Sequence, residues 1–289
     1  MSFGSPYLTL PDFTYHRPSS IDEVVALLKQ HGDEAKVMAG GVGLLAFMKE
    51  RLMSPSHIID VKGVKELKQL QYVPGRGLSV GASITYAELA SSQVLKEKFT
   101  ALHEAVSRTA DPMIRARATL VGNVCEAIPW IDSAPALISL DASVEILGPG
   151  GKRRVPVVSF IRGPVDIDLA VDEFVTSVEV PDPAPGMKSA FEKFTGGSEF
   201  ALASVAVTLA TVEKKRRARV VFGSVNSTPI RCVDAEKMLE DAEFTRATIK
   251  TAAEVASEKV ECFSDVLAST EYRRHLVEVV ALKALWRLL

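Results

Sequence analysis

Cysteine is scarce in this chain of 289 residues. The three present, Cys125, Cys232 and Cys262, lie far apart in no recognisable pattern. That argues for a reducing compartment and against a disulfide framework. It also excludes an iron–sulfur cluster held by this chain, since such clusters usually take four thiolates. The histidines, His16, His31, His57, His103 and His275, show no metal-ligand spacing, so each is read as structural or as surface. No apolar run approaches the length of a membrane span. The net charge of −2 gives no general attraction to nucleic acid or to an anionic membrane. No serine stands in a G-x-S-x-G elbow, which removes the hydrolase reading. The start, Met1 to Pro6, has neither a basic region nor an apolar core, so no secretory signal is expected and the cytoplasm is the expected location.

What is present begins with glycine. The run Lys36-Val37-Met38-Ala39-Gly40-Gly41-Val42-Gly43-Leu44-Leu45 reads as a short buried strand, a glycine junction and a helix over Leu44 to Arg51. Glycines there allow positive φ and let backbone N–H groups approach an anion at a helix N-terminus. The spacing matches neither the dinucleotide fingerprint G-x-G-x-x-G nor a P-loop. A phosphate cradle and a plain tight turn therefore both fit. A second site, Thr119-Leu120-Val121-Gly122-Asn123, offers a hydroxyl, a glycine backbone and a carboxamide, with Asp132 downstream. These suit phosphate or polyol contacts. A helix N-cap at Thr119 with a turn at Gly122-Asn123 is the other reading.

Around these sites the periodicity gives mixed elements. Ser20 and Glu23 predict a capped helix to His31 with Gly32 as its C-cap. His57 to Val61 and Leu78 to Ala82 read as strands, and Thr85 with Glu88 as a capping box. Val94 to Arg108 reads as one longer helix, Thr109 to Asn123 as less regular, and Pro135 to Leu140 as helix. Ser143 to Leu147 and Arg154 to Val158 form a predicted hairpin, and Phe174 to Val180 a strand closed by Pro181, Pro183 and Pro185, the best linker. Beyond it, strands Ala203 to Val212 and Ala218 to Val225 flank a basic turn, Glu213 to Arg217, read as solvated or as a docking point for an acidic partner. Helices over Cys232 to Leu239, Ala247 to Val260 and Tyr272 to Leu289 close an α+β chain. The acidic residues Asp166, Asp168, Asp172 and Glu173 read as surface, and Trp130 as packed core.

Taken in order, these pieces resemble one family. Ala39-Gly40-Gly41-Val42-Gly43-Leu44, Ile59-Asp60-Val61, Val80 to Leu89, Arg115 to Asn123, Pro129-Trp130-Ile131-Asp132, Leu140-Asp141-Ala142, and Ser264-Asp265, Ser269 and Glu271 to Arg274 match the FAD-binding medium subunit of the molybdenum hydroxylases, the carbon monoxide dehydrogenase and xanthine dehydrogenase group. The resemblance implies an α+β fold. A two-lobed FAD-binding domain of the vanillyl-alcohol-oxidase/PCMH type would span 1–183, with lobes at about 1–62 and 63–183, followed by a smaller C-terminal α+β domain at 187–289 with a β-sheet and helices. It implies FAD in this chain, molybdopterin and [2Fe-2S] clusters on a large and a small partner subunit, and a heterotrimer or a dimer of heterotrimers. Electrons would pass from the iron–sulfur subunit through FAD to an external acceptor.

Carried over residue by residue, the resemblance places Met38, Ala39, Gly40, Gly41, Val42, Gly43 and Leu44 in one pyrophosphate loop and Thr119, Gly122 and Asn123 in the other. Asp132 would meet ribityl or ribose hydroxyls. Ile84 and Thr109 would lie along the cofactor, Val175 under adenine or ring, Lys193 near the flavin and Phe200 beside its ring. No catalytic acid or base and no metal ligand is assigned. The chain departs from the family pattern at Val42 and Gly43, which lack side-chain hydrogen bonds worth about 0.5–1.5 kcal/mol each. Val121 replaces a glycine and is expected to resist positive φ. The stretch Thr195 to Ser198 lacks the family's arginines. A flavin-free structural subunit and an independent flavoprotein oxidoreductase are the other readings.

Overall fold

A computed structural model describes residues 9–197 and 200–289, so the expectations for Met1 to Pro6 and for Ser198 fall outside the described residues. Among the described residues the chain builds sheets of three, five and four strands and one two-stranded ribbon, with helices packed around them, and the fold is α+β.

The first body is small and parallel. It runs β1 (Thr14–His16), α1 (Ile21–His31), β2 (Ala35–Met38), α2 (Val42–Lys49) and β3 (His57–Asp60), with strand order β1-β3-β2. Ser20 caps α1 by accepting from the Glu23 N–H, while the Glu23 carboxylate turns back to the Ser19 N–H at 2.7 Å. Gly32, at φ 54°, ends the helix in a conformation that a side chain would resist. Val24 and Leu28 give α1 its buried stripe.

The second body is an antiparallel sheet covered by helices. It contains β4 (Leu70–Val73), β5 (Gly77–Gly81), α3 (Tyr86–Ala90), α4 (Gln93–Lys98), α5 (Thr100–Arg108), α6 (Pro112–Arg115), α7 (Leu120–Glu126) and α8 (Ser133–Ser139). Then follow β6 (Ser143–Gly148), β7 (Gly151–Pro156), α9 (Val157–Phe160), β8 (Ile161–Gly163), β9 (Asp166–Ile167) and β10 (Phe174–Val180). The order is β4-β5-β10-β6-β7. The capping box at Thr85 and Glu88 forms as predicted. The single helix predicted over Val94 to Arg108 does not: Phe99 (φ −130°, ψ 52°) leaves helical geometry between α4 and α5. Its ring is fully buried, and the chain turns there to seat it. The acidic stretch is also not a bare surface. Arg153 bridges Asp168 at 3.0 Å and Glu173 at 2.7 Å.

The third body runs β11 (Lys188–Phe194), β12 (Ala203–Val212), β13 (Lys215–Gly223), β14 (Ile230–Arg231), α10 (Val233–Asp241), α11 (Arg246–Lys259) and α12 (Thr270–Trp286), with the strands in that order. Strand β11 stands outside the elements that periodicity predicts. The basic turn is shorter than expected. Val212 pairs with Lys215, leaving Glu213 and Lys214 (φ 50° and 65°) as a two-residue hairpin loop. Arg216 belongs to the strand and donates to the carbonyls of Leu239 (2.9 Å) and Ala242 (2.6 Å), closing the end of α10, so it is not a free docking group. The C-terminal signature has a structural reason. Arg273 is buried, donates to the carbonyls of Leu202 and Ser224, and pairs with Asp265 at 2.7 Å. Ser269 caps α12.

The candidate dinucleotide site

The two glycine segments meet. An ideal Cβ on Gly40 would fall 2.0 Å from the Arg117 carbonyl oxygen and 2.9 Å from its carbonyl carbon. No side chain fits there, so the first body touches the segment entering α7 backbone to backbone. Gly41 (φ 79°) is the N-cap of α2 and has no side-chain cap to offer the first-turn N–H groups. Helix α2 therefore presents uncapped donors and the positive end of its dipole at this junction.

A cavity of about 510 Å³ opens from this junction, within the range of roughly 300–1,000 Å³ typical of ligand sites. Met38, Ala39, Gly40, Gly41, Val42, Gly43 and Leu44 line it from the first body. Thr109, Thr119, Gly122, Asn123, Asp132 and Val175 line it from the second, and Phe200 from the third. Ile84 does not. It is 4% exposed and packs in the core of the second body. Lys193 also stays out of the lining. Its ammonium donates to Asp132 Oδ2 at 2.6 Å, and both side chains are almost fully buried. Thr109 Oγ1 donates to the same oxygen at 3.1 Å. Asp132 Oδ1 is buried without a partner. Burial pushes the Asp132 pKa up, and Lys193 and Thr109 pull it back.

The second glycine segment is helical. Thr119 caps α7 by accepting from the Gly122 N–H at 3.1 Å, so Gly122 and Asn123 sit in the first turn and form no separate turn. Val121 needs no positive φ. It is helical and 4% exposed, and the conflict expected from its β-branch does not arise. Asn123 Oδ1 accepts from Tyr86 (2.5 Å) and Ser133 (2.7 Å), which fixes its amide orientation, and the Asn123 side chain hydrogen-bonds Glu126.

Glu126 is the residue that sequence reasoning missed. It lines the cavity, and its carboxylate lies 2.4 Å from where a Gly43 Cβ would stand. Burial raises its pKa and favours the neutral carboxyl, a hydrogen-bond donor. Thus the space given up by the glycine at position 43 is taken by an acid from another helix. Glu126 lies four residues beyond the Thr119–Gly122 motif, and no sequence signal tied it to Gly43. Trp130 also lines the cavity and does not pack in the core. Its ring stands 5.1 Å from that of Phe200, and its indole N–H is buried without a partner. Cys125 in the wall is inert, its thiol pushed up to about 12 by burial.

A glycine junction carrying helix N-terminal donors, followed by an aromatic and aliphatic trough with orphaned polar atoms, has the chemistry to hold a dinucleotide-type cofactor. Residues 11–183 match the FAD binding domain in molybdopterin dehydrogenase, and residues 193–288 the CO dehydrogenase flavoprotein C-terminal domain. The chain is 31% identical over 279 residues to the carbon monoxide dehydrogenase medium chain of Hydrogenophaga pseudoflava, covering 95% of this chain and 96% of that one. It is 29% identical over 276 residues to the glyceraldehyde dehydrogenase medium chain of Sulfolobus acidocaldarius, covering 95% and 97%. Among solved structures, a chain of the Hydrogenophaga pseudoflava carbon monoxide dehydrogenase superposes with a TM-score of 0.90 at 30% identity, over 97% of this chain and 99% of that one. The chain belongs to the FAD-binding medium-chain family of the molybdopterin dehydrogenases, and is an oxidoreductase subunit.

Proposed function

We propose that this chain seats FAD with its pyrophosphate between the Ala39–Gly43 junction and the start of α7, and serves as the electron-transfer subunit of a molybdenum hydroxylase. The observation that carries the reading is the backbone contact at Gly40, which brings two segments far apart in sequence to one hollow. FAD, when bound, supplies redox chemistry between an iron–sulfur donor and an external acceptor. The chain's own residues bind and orient. Backbone N–H groups at Gly41 to Gly43 and at the start of α7 would hold the diphosphate. The orphaned Asp132 Oδ1 and Trp130 indole N–H would meet cofactor hydroxyls and carbonyls, respectively an acceptor and a donor. Val175 and Phe200 would cover apolar ring surface and exclude water. Lys193 would act through Asp132, holding its carboxylate in place.

The partners in this reading are a large molybdopterin subunit and a small [2Fe-2S] subunit, in a heterotrimer or a dimer of heterotrimers. Medium-chain relatives of matching length support this. The proposed units are residues 1–183, with lobes at about 1–62 and 63–183, and 187–289, divided at the Pro181–Pro185 cluster. No described helix is long and apolar enough to cross a membrane, and a cytoplasmic location is part of the proposal. The test is purification of the native complex. One FAD released per chain on denaturation, with a large and a cysteine-rich chain co-purifying, is expected. A colourless chain that FAD cannot reconstitute would contradict the proposal.

A further inference from the structure

Three histidines with no sequence relationship converge at the edge of the first body. His16 ends β1, His31 ends α1 and His57 opens β3. In the parallel register Thr14 pairs with His57 and His16 with Ile59. Alternate residues share a sheet face, so His16 and His57 lie on the same side. Ile59 on that side packs in one core with Val24 and Leu28 of α1, and α1 delivers His31 to the same place. One ligand atom from each histidine lies within 4.8 Å of the other two. His16 Nε2 and His57 Nδ1 are 3.0 Å apart.

We propose that His16, His31 and His57 form a binding site for one divalent transition-metal ion of the zinc class, clasping β1 and the end of α1 to β3. Two nitrogens on a tetrahedral zinc stand about 3.3 Å apart for bonds of about 2.0–2.1 Å, close to the spacing of the His16 and His57 nitrogens. His31 Nε2 is buried with no hydrogen-bond partner, a lone pair or N–H left unsatisfied without an ion. The His31 and His57 rings are stacked with centroids 3.7 Å apart, so sharing one ion requires one of the rings to turn about χ2. The end of α1 also places the negative pole of a helix dipole beside the proposed cation.

Coordination through His16 Nε2 and His57 Nδ1 removes the proton shared between them. That proton moves to the other nitrogen of the same ring, so each imidazole keeps one N–H and no net charge is released. The site is separate from the cofactor cavity, since none of the three histidines lines it. Three protein nitrogens leave a fourth position for water, and all three side chains are only partly buried.

The test is titration of the metal-stripped full chain with Zn2+ by calorimetry, and with Co2+ by visible absorption. One saturable Zn2+ per chain, four-coordinate Co2+ bands and a higher melting temperature with Zn2+ are expected. His16→Ala, His31→Ala and His57→Ala should each abolish binding, while His275→Ala, at an exposed position on α12, keeps it. Histidine ring resonances of the unmutated protein give a reading independent of variant folding, with three of them shifting on Zn2+ addition. Absence of stoichiometric binding by the unmutated chain would overturn the proposal. So would binding that survives the His16→Ala/His57→Ala double substitution.

Discussion

Lys193 on β11 and Asp132 at the start of α8 form an ion pair of 2.6 Å in which both side chains are nearly buried. The pair ties the third body to the second directly behind the cofactor cavity. Removing one member leaves the other charged and desolvated, which typically costs about 3–5 kcal/mol. Lys193→Met should therefore lower the unfolding midpoint sharply. The double substitution Lys193→Met/Asp132→Leu should recover much of the loss, as denaturant titration of the three proteins would show. Equal destabilisation by both variants would mean that the pair is not coupled.

Gly40→Ala places a methyl group on the Arg117 carbonyl. Backbone must move on one side, at a cost of about 1–3 kcal/mol. FAD content per chain should fall with it. Gly150→Ala, where a Cβ would meet nothing, should change neither melting temperature nor FAD content.

Val121→Gly would restore the residue that the family pattern carries, yet it should harm this chain. Val121 is helical and buried, so glycine removes packing and adds backbone entropy, about 2–4 kcal/mol together. Thermal unfolding should show the loss, and FAD affinity should not improve.

Glu126 gives a pH signature. Its folded pKa is raised by burial above the unfolded value of about 4.3, so its favourable contribution is full below that value and is lost as pH rises through the folded pKa. Glu126→Gln keeps the neutral shape and removes the titration. The variant should melt higher than the parent by a few degrees at pH 8 and by less at pH 5. A constant difference across that range would show that Glu126 does not titrate in this environment.

How much was readable beforehand follows from how local each signal is. Val37 to Leu44 announces strand, glycine junction and helix within ten positions, and the capping pair Thr85 and Glu88 does the same for α3. Phe99 is not a helix-breaking residue type, so no sequence signal marks the division between α4 and α5, where its buried ring sits. The Thr119 cap is legible as one of two readings, but the turn expected at Gly122-Asn123 is instead the first turn of α7. Glu126 beside Gly43, and the meeting of His16, His31 and His57, are tertiary relationships with no periodicity to reveal them.

The central claim is that a diphosphate, and not the flavin ring alone, anchors the cofactor between Gly40–Gly43 and the start of α7. Titration of the flavin-free chain with FAD and with riboflavin, followed by flavin fluorescence with ADP as competitor, measures this directly. The account predicts one FAD bound per chain, much weaker riboflavin binding, and displacement of FAD by ADP. Riboflavin binding as tight as FAD, with no effect of ADP, would contradict it.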